Sequence, residues 1–290
     1  ISQYMEKLLI YVVTFNHEKF IEKTVKRIDQ KVFENFDTEI LVNDDSSTDS
    51  TFEILKKLKS ELSSKVKFNI LSNPKNLGYG GNQKIGYHYS IKNNFDYVAL
   101  LHGDGQYAPE ILSDLLSSFD AKDTKAVFGT RMLNRFDAIK GGMPLYKFFG
   151  NKILTYLQNK ILKSKMSEFH SGYRIYKVSA LNEIPFHLNS NDYTFDTEII
   201  IQFLISNFKI KEIPIPTFYG GEISYVNGIY YAYRIISESL KAKIQSLGIF
   251  YDKKYDLIKD QNNYKFKKKF TSTHSLTFQM IKENSYILDL

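Results

Sequence analysis

Four short, largely apolar runs set the frame of this chain: Leu8–Thr14, Glu39–Val42, Val66–Leu71 and Tyr97–Leu101. Each has the length of a buried strand and is too short for a buried helix. Between them the apolar spacing becomes helical. Phe20, Ile21, Val25 and Ile28 follow the first run. After the second, Ser50 and Glu53 form a capping-box pattern heading a helix that carries Phe52, Ile54, Leu55 and Leu58. A further helix passes through Ile85 and Tyr89. Strand then helix, repeated, predicts an α/β fold: a mostly parallel, Rossmann-like sheet with helices on both faces.

Sheets of that kind bind ligands beyond the carboxyl ends of their strands. Thr14-Phe15-Asn16, Asp44-Asp45, Gly78 to Asn82 and His102 to Gln106 all fall there. The fourth exit is the most suggestive. If the backbone stays extended past Leu101, side chains two apart share a side, so His102, Asp104 and Gln106 converge on one ion or ligand. Gly103 and Gly105 leave room for a phosphate, and Pro109 suits the first turn of a helix. Imidazole, carboxylate and amide oxygen are acceptable ligands for Mg²⁺ or Mn²⁺, with the imidazole favouring manganese. A plain strand-to-helix turn, with Asp104 capping backbone amides, explains the same residues.

Later in the chain, Ala126–Gly129 reads as a short strand and Arg131–Gly142 as a polar, lid-like loop. Tyr146–Leu162 and Thr194–Ile205 read as helices, Ser167–Gly172 as a turn, and Ile210–Ile215 as an edge strand ended by prolines. Ile229, Tyr233, Ile236, Leu240, Ile244 and Leu247 recur at helical spacing, with Arg234, Lys241 and Lys243 between them. Such a helix packs on the core or rests on anionic lipid through its basic face, the former being the commoner arrangement. From about Lys253 the composition turns to Lys, Asn, Asp and Gln, which places a domain over residues 1–250 and a linker or boundary over 251–290. The chain has no cysteine, which excludes disulfides, zinc-thiolate sites and thiol nucleophiles. The formal charge of +7 suits an anionic partner such as a nucleotide or a phospholipid headgroup, and nucleic acid is not expected. No apolar run is long enough to cross a bilayer, so a cytoplasmic protein, peripheral to a membrane at most, is expected.

The motifs together resemble those of a family 2 glycosyltransferase of the GT-A fold, in the dolichol-phosphate mannosyltransferase-like branch. They are Thr14-Phe15-Asn16-His17-Glu18, Asp44-Asp45-Ser46-Ser47-Thr48-Asp49, Asn76-Leu77-Gly78-Tyr79-Gly80-Gly81 and Asp104-x-Gln106-x-x-Pro109-Glu110. Gly129-Thr130-Arg131, Ser171-Gly172-Tyr173-Arg174 and Tyr219–Ser224 follow. The resemblance implies inverting transfer of a sugar from a UDP- or GDP-sugar to a glycan or polyprenyl-phosphate acceptor, with Mn²⁺ or Mg²⁺ bridging the diphosphate. It assigns donor binding to Thr14, Phe15, Asn16, Glu18, Asp44, Asp45, Asn76, Gly78, Gly80, Gly81, Lys84, Gly103, Asp104 and Arg131. It assigns metal binding to Asp104, Gln106 and His102, and the acceptor side to Glu168, His170, Ser171, Gly172, Arg174 and Glu222. A hydroxyl acceptor needs a base and a phosphate acceptor does not; Asp196 and Glu198 are the catalytic candidates beside Asp104, with Glu168 and Glu222 as further carboxylates.

Two departures stand out. His102 occupies the place of the family's first metal-binding aspartate, which removes a negative charge. Tyr219 and Tyr225 flank Gly221-Glu222-Ile223-Ser224 where the branch carries Arg and Lys, which weighs against a lipid phosphate. His102 also keeps open a nucleotide-sugar-binding scaffold of weak activity. A dehydrogenase lacks its GxGxxG and a P-loop enzyme its GxxxxGK[ST]. Finally, Tyr286–Leu290 resembles the first strand of an S-adenosylmethionine-dependent methyltransferase, which suggests a fused second domain in a longer protein.

Overall fold

Leu8, Leu9, Ile10, Tyr11 and Val12 are buried without interruption, which requires a sheet covered on both faces. The computed structural model describes residues 5–119, 123–134, 137–216, 227–257 and 280–281. Contacts divide the chain into Ile1–Leu257 and Ile258–Leu290. Tyr219–Tyr225, with Glu222, and Tyr286–Leu290 lie outside the described residues.

The strands are β1 (Lys7–Thr14), β2 (Asp37–Asp44), β3 (Lys67–Ser72), β4 (Tyr97–His102), β5 (Thr124–Thr130), β6 (Arg174–Lys177) and β7 (Lys209–Pro214). They form a seven-stranded sheet in the order β3-β2-β1-β4-β6-β5-β7. All pairings are parallel except those of β6, which runs antiparallel between β4 and β5. The expected strand-helix alternation therefore holds through β4, and β6 is an addition to the expected set.

Helices α1 (Ile21–Lys26), α2 (Lys31–Asn35), α3 (Thr51–Leu62) and α5 (Leu112–Ser117) cover one face, packing with Leu8, Ile10 and Val12 of β1. Helices α4 (Tyr79–Lys92), α8 (Val178–Asn182) and α9 (Phe195–Ile205) cover the other, packing with Leu9, Tyr11 and Val13. The alternate residues of β1 thus serve two cores, each fully buried side chain contributing about 1.5–3 kcal/mol. α6 (Asp137–Lys140), α7 (Leu145–Leu162) and α10 (Gly228–Ser246) complete the set. The compact unit extends beyond residue 250 because Lys254 reaches back to Glu198 and Glu238, both at 2.7 Å.

α3 starts where the capping-box pattern lies, but by another device. Ser50 makes no side-chain cap; Asp49 Oδ1 accepts the Thr51 N–H at 3.0 Å and Glu18 Oε2 accepts that of Ser50 at 3.0 Å. The glycines at the head of α4 allow a close approach. A Cβ on Gly80 would lie 2.5 Å from the Ser190 carbonyl oxygen and 2.6 Å from Phe195 Cβ, and one on Gly78, at φ +79°, would lie 2.6 Å from the Asn191 oxygen. These residues admit the 190–192 loop, while Gly86 admits the Tyr11 ring and so brings α4 onto the sheet.

Gly80→Ala is expected to cost roughly 1–3 kcal/mol through overpacking against backbone that cannot rotate away. Gly150→Ala in α7, where an added Cβ meets nothing within 4 Å, is expected to be neutral or stabilising by up to about 1 kcal/mol. Urea unfolding midpoints at unchanged slope measure both.

Candidate active site

Parallel register brings three strand ends level: Thr14 pairs with Asp44, and Val13 with both Asn43 and His102. The first two exits are stitched into one ledge. The Asn16 N–H donates to Ser47 Oγ at 2.8 Å, Asn16 Oδ1 accepts the Thr48 N–H at 2.8 Å, and the His17 N–H donates to Thr51 Oγ1 at 2.9 Å. Asn16 takes φ 55° to do this, a conformation asparagine tolerates better than most residues. Asp44 is buried, and burial raises its carboxyl pKa although Ser47 donates to it through its backbone N–H and its hydroxyl. Phe15 is half-buried on the same exit.

Several expected donor contacts are already occupied within the protein. Asp45 Oδ1 accepts from Asn73 Nδ2 at 2.7 Å and from the Leu77 N–H at 2.9 Å, and Oδ2 accepts from the Gly78 N–H at 3.1 Å. It holds the β3 exit in place. Asn76 Oδ1 accepts from the same Gly78 N–H at 2.9 Å. The N–H groups of Gly80 and Gly81 donate to the Asn191 carbonyl, at 2.7 and 3.2 Å. The Lys84 ammonium turns to the Asn189 carbonyl and to Asn191 Oδ1. Glu18, as noted, caps α3. These residues build the walls of the site through one another.

At the β4 exit the backbone does not stay extended. Asp104 Oδ1 accepts the Gln106 N–H at 3.0 Å and Gly105 adopts φ +71°, so the alternation that would aim His102, Asp104 and Gln106 at one point is broken. Gly103 sits so close to Thr14 that a Cβ would lie 2.7 Å from Thr14 Oγ1, and Thr14 Oγ1 lies 3.1 Å from His17 Nδ1. The His102 ring turns towards the other wall, in edge contact with Tyr79 and Tyr107 at 5.5 and 5.0 Å between centroids. Among the described residues no three His, Asp or Glu side chains gather to hold a metal ion by themselves.

That other wall is organised by buried charge. Arg174 donates to the carbonyls of Ser171, Asp196 and Phe169 at 2.9–3.1 Å and pairs with Asp196 Oδ1 at 3.1 Å. Asp196 also accepts from the Tyr79 hydroxyl at 2.9 Å and from Gln83 Nε2 at 3.3 Å. Arg131 pairs with Glu168, which accepts its N–H at 2.8 Å as well as N–H groups of its guanidinium. Burial alone would raise the Glu168 carboxyl, but Arg131 and Asn151 hold it below the usual carboxylate range. Glu198 stands apart: Ser190 and Lys254 occupy its oxygens, so it braces the 190–192 loop. Gly172 donates its N–H to the Tyr107 hydroxyl at 2.8 Å. His170 Nδ1 meets the Tyr231 hydroxyl at 3.0 Å. His170 Nε2 and Ser171 Oγ, both buried atoms, find no hydrogen-bond partner among the described residues.

Residues 9–185 match the family model described as glycosyl transferase family 2. The chain belongs to that family. It is a glycosyltransferase. It is 26% identical over 226 residues to the UDP-N-acetylglucosamine–dolichyl-phosphate N-acetylglucosaminyltransferase of Methanococcus voltae, covering 74% of this chain and 88% of that one. It is 23% identical over 215 residues to the polyprenol monophosphomannose synthase of Mycolicibacterium smegmatis, covering 72% and 77%. In fold it resembles the glucosyl-3-phosphoglycerate synthase of Mycobacterium tuberculosis, solved with Mn²⁺, UDP and phosphoglyceric acid, at a TM-score of 0.56 and 16% identity over 86% of this chain and 80% of that one.

Residues that escaped the sequence reading as site members are Tyr79, His17, Tyr107 and Tyr231. Tyr79 is the most informative, since its hydroxyl joins Asp196 to His102 Nε2, the latter at 3.4 Å. An aromatic ring set among the glycines of 76–81 was its one sequence signal. Burial depresses the His102 and His170 rings to about 4 each, with Arg131 and Arg174 adding to the effect against the opposing pull of Asp196 and Glu168 respectively.

Both imidazoles are therefore neutral in this glycosyltransferase near pH 7. A group whose folded pKa is depressed from 6.5 to about 4 contributes stability that is complete above 6.5 and is lost as pH falls towards 4, where the unfolded chain alone takes up the protons. Unfolding free energy is expected to decline over that window, and His102→Gln with His170→Gln to flatten the decline, as read by denaturation at stepped pH.

Proposed function

We propose that this glycosyltransferase moves a sugar from a UDP-sugar to a polyprenyl phosphate, with Mn²⁺ or Mg²⁺ neutralising the departing diphosphate. The observation that carries the reading is the level alignment of Thr14, Asp44 and the His102–Asp104 turn on one sheet edge. Asp44 presents a carboxylate beside Thr14, chemistry suited to accepting a uracil N–H. Magnesium and manganese need few protein ligands when a diphosphate supplies the rest. Asp104 would hold such a cation as it arrives with the nucleotide, and it would supply charge neutralisation as the bond from the anomeric carbon to the β-phosphate oxygen breaks. His102, neutral and turned to Tyr79, belongs to the wall of the sugar pocket in this reading.

The pairing of the described carboxylates supports that acceptor, against the contrary indication of Tyr219 and Tyr225. Asp196, Glu168 and Glu198 are each committed to a cation, Arg174, Arg131 and Lys254 respectively. None of these three described carboxylates is poised to take a proton from an attacking hydroxyl, whereas a phosphate monoester attacks as an anion and needs no base. The two relatives above are named for dolichyl-phosphate and polyprenol acceptors, which supports the same reading and a place of work at a membrane surface.

Asp104→Ala is expected to lower turnover about 10²–10³-fold with an unchanged melting profile. Release of UDP and labelling of polyprenyl phosphate from a panel of UDP-sugars with Mn²⁺ measures it. Undiminished turnover in the variant removes Asp104 from the site. Labelling of an oligosaccharide in place of the lipid overturns the acceptor, and UDP binding without any transfer restores the scaffold reading.

A further inference from the structure

The two helices on the outside of the site, α7 and α10, are inverted relative to ordinary surface helices. α10 turns Ile235, Glu238, Ser239 and Ala242 inward, while the apolar stripe expected to pack on the core faces out, with Ile229 86% and Tyr233 69% exposed. α7 buries Phe148, Thr155 and Gln158 and exposes Tyr146 by 74% and Tyr156 by 64%, along with Phe149 and Ile153. The inward polar groups are used: Gln158 Nε2 reaches Thr197 and Ser239, and Glu238 binds Lys254, Lys241 and the Tyr255 hydroxyl. Between the two helices, Leu154 of α7 and Tyr233, Ile236, Leu240 and Ile244 of α10 line one groove of about 540 Å³. Water-soluble surfaces seldom carry an apolar patch of this extent without a partner.

We infer that this α7–α10 face is a docking surface for a bilayer that carries anionic lipid. Charge selects this occupant. α7 contains Lys147, Lys152 and Lys160 and no acidic residue, and the one acidic residue of α10, Glu238, is buried and paired. Tyr and Phe with flanking Lys is the composition that settles at the headgroup boundary. A second copy would bring the same lysines against themselves, and residues 258–290, with Lys265 and Lys267–Lys269, carry the same sign of charge. No helix among the described residues is long and apolar enough to cross a membrane, so contact through this face would be interfacial. The inference goes beyond the proposed reaction and holds whichever acceptor is correct.

The purified full chain is to be mixed with vesicles of phosphatidylcholine alone or with added phosphatidylglycerol, without nucleotide or polyprenyl phosphate, and floated on a density gradient. Flotation with the anionic vesicles is expected, weakened ~10-fold or more by Phe149→Asp with Tyr233→Asp and, separately, by Lys152→Ala with Lys160→Ala and Lys243→Ala. A retained melting profile shows that the variants fold. The inference is overturned if the wild-type chain does not float, or if either set of variants floats undiminished. It is also overturned if the chain is a dimer that Phe149→Asp with Tyr233→Asp converts to a monomer, which would make this face an interface between copies. Failure to bind UDP would sink the proposed donor and leave the flotation result standing.

Discussion

A guanidinium withdrawn from water must find its acceptors inside the protein, and Arg174 at the start of β6 is the side chain on which the site most depends. Three backbone carbonyls and the Asp196 carboxylate surround it. Removing one partner of such a buried pair typically costs about 3–5 kcal/mol. That cost fixes the 169–172 turn against α9, and through Asp196 it fixes Tyr79 at the head of α4. Two walls far apart in sequence are thereby held by one charge. The same contacts leave Arg174 buried within the wall.

The donor side obeys a different constraint. Parallel strands that end level present their exits side by side, and the chain must leave each exit without stranding backbone donors. Asn16, Ser47, Asp49 and Glu18 satisfy the first two exits mutually, and Asp45 satisfies the third. Thr14, Asp44 and the start of the Asp104 turn lie level beside these exits. Much of the polar character that makes these exits look like ligand contacts is therefore spent on holding the loops that shape the cleft.

The fold was legible because buried parallel strands leave continuous apolar runs, and six of the seven strands sit where such runs or short β-branched stretches lie. β6 was not, because Arg174 and Lys177 bracket only two apolar residues and its burial depends on acceptors from Phe169 and Asp196. The exits were legible as places, since glycines and carboxylates after a strand mark them, but their roles were not. Asp45 and Asp44 are neighbours of one type, and only the three-dimensional position of Leu77 and Gly78 makes one a brace. Glu198 illustrates the same limit: its partner Lys254 lies 56 residues further on, and no local pattern connects a helix glutamate with a lysine in what reads as a linker. The extended backbone expected beyond Leu101 failed because a glycine that can leave room for a ligand can equally adopt positive φ, as Gly105 does.

The apolar stripe of α10 shows how periodicity reports a face and not its neighbour. Spacing of Ile229, Tyr233, Ile236 and Leu240 proves one-sidedness, and a globular context makes the core the default occupant of that side. The decisive signal lies on the opposite side of the helix, where Glu238 and Ser239 are too polar to face solvent by accident of composition alone and have buried partners in Lys254, Tyr255 and Gln158. A helix whose polar side is satisfied inward has no interior left for its apolar side. With α7 exposing apolar residues in the same sense and carrying lysines, the stripe is left uncovered among the described residues of this unit, and covering it would be favourable.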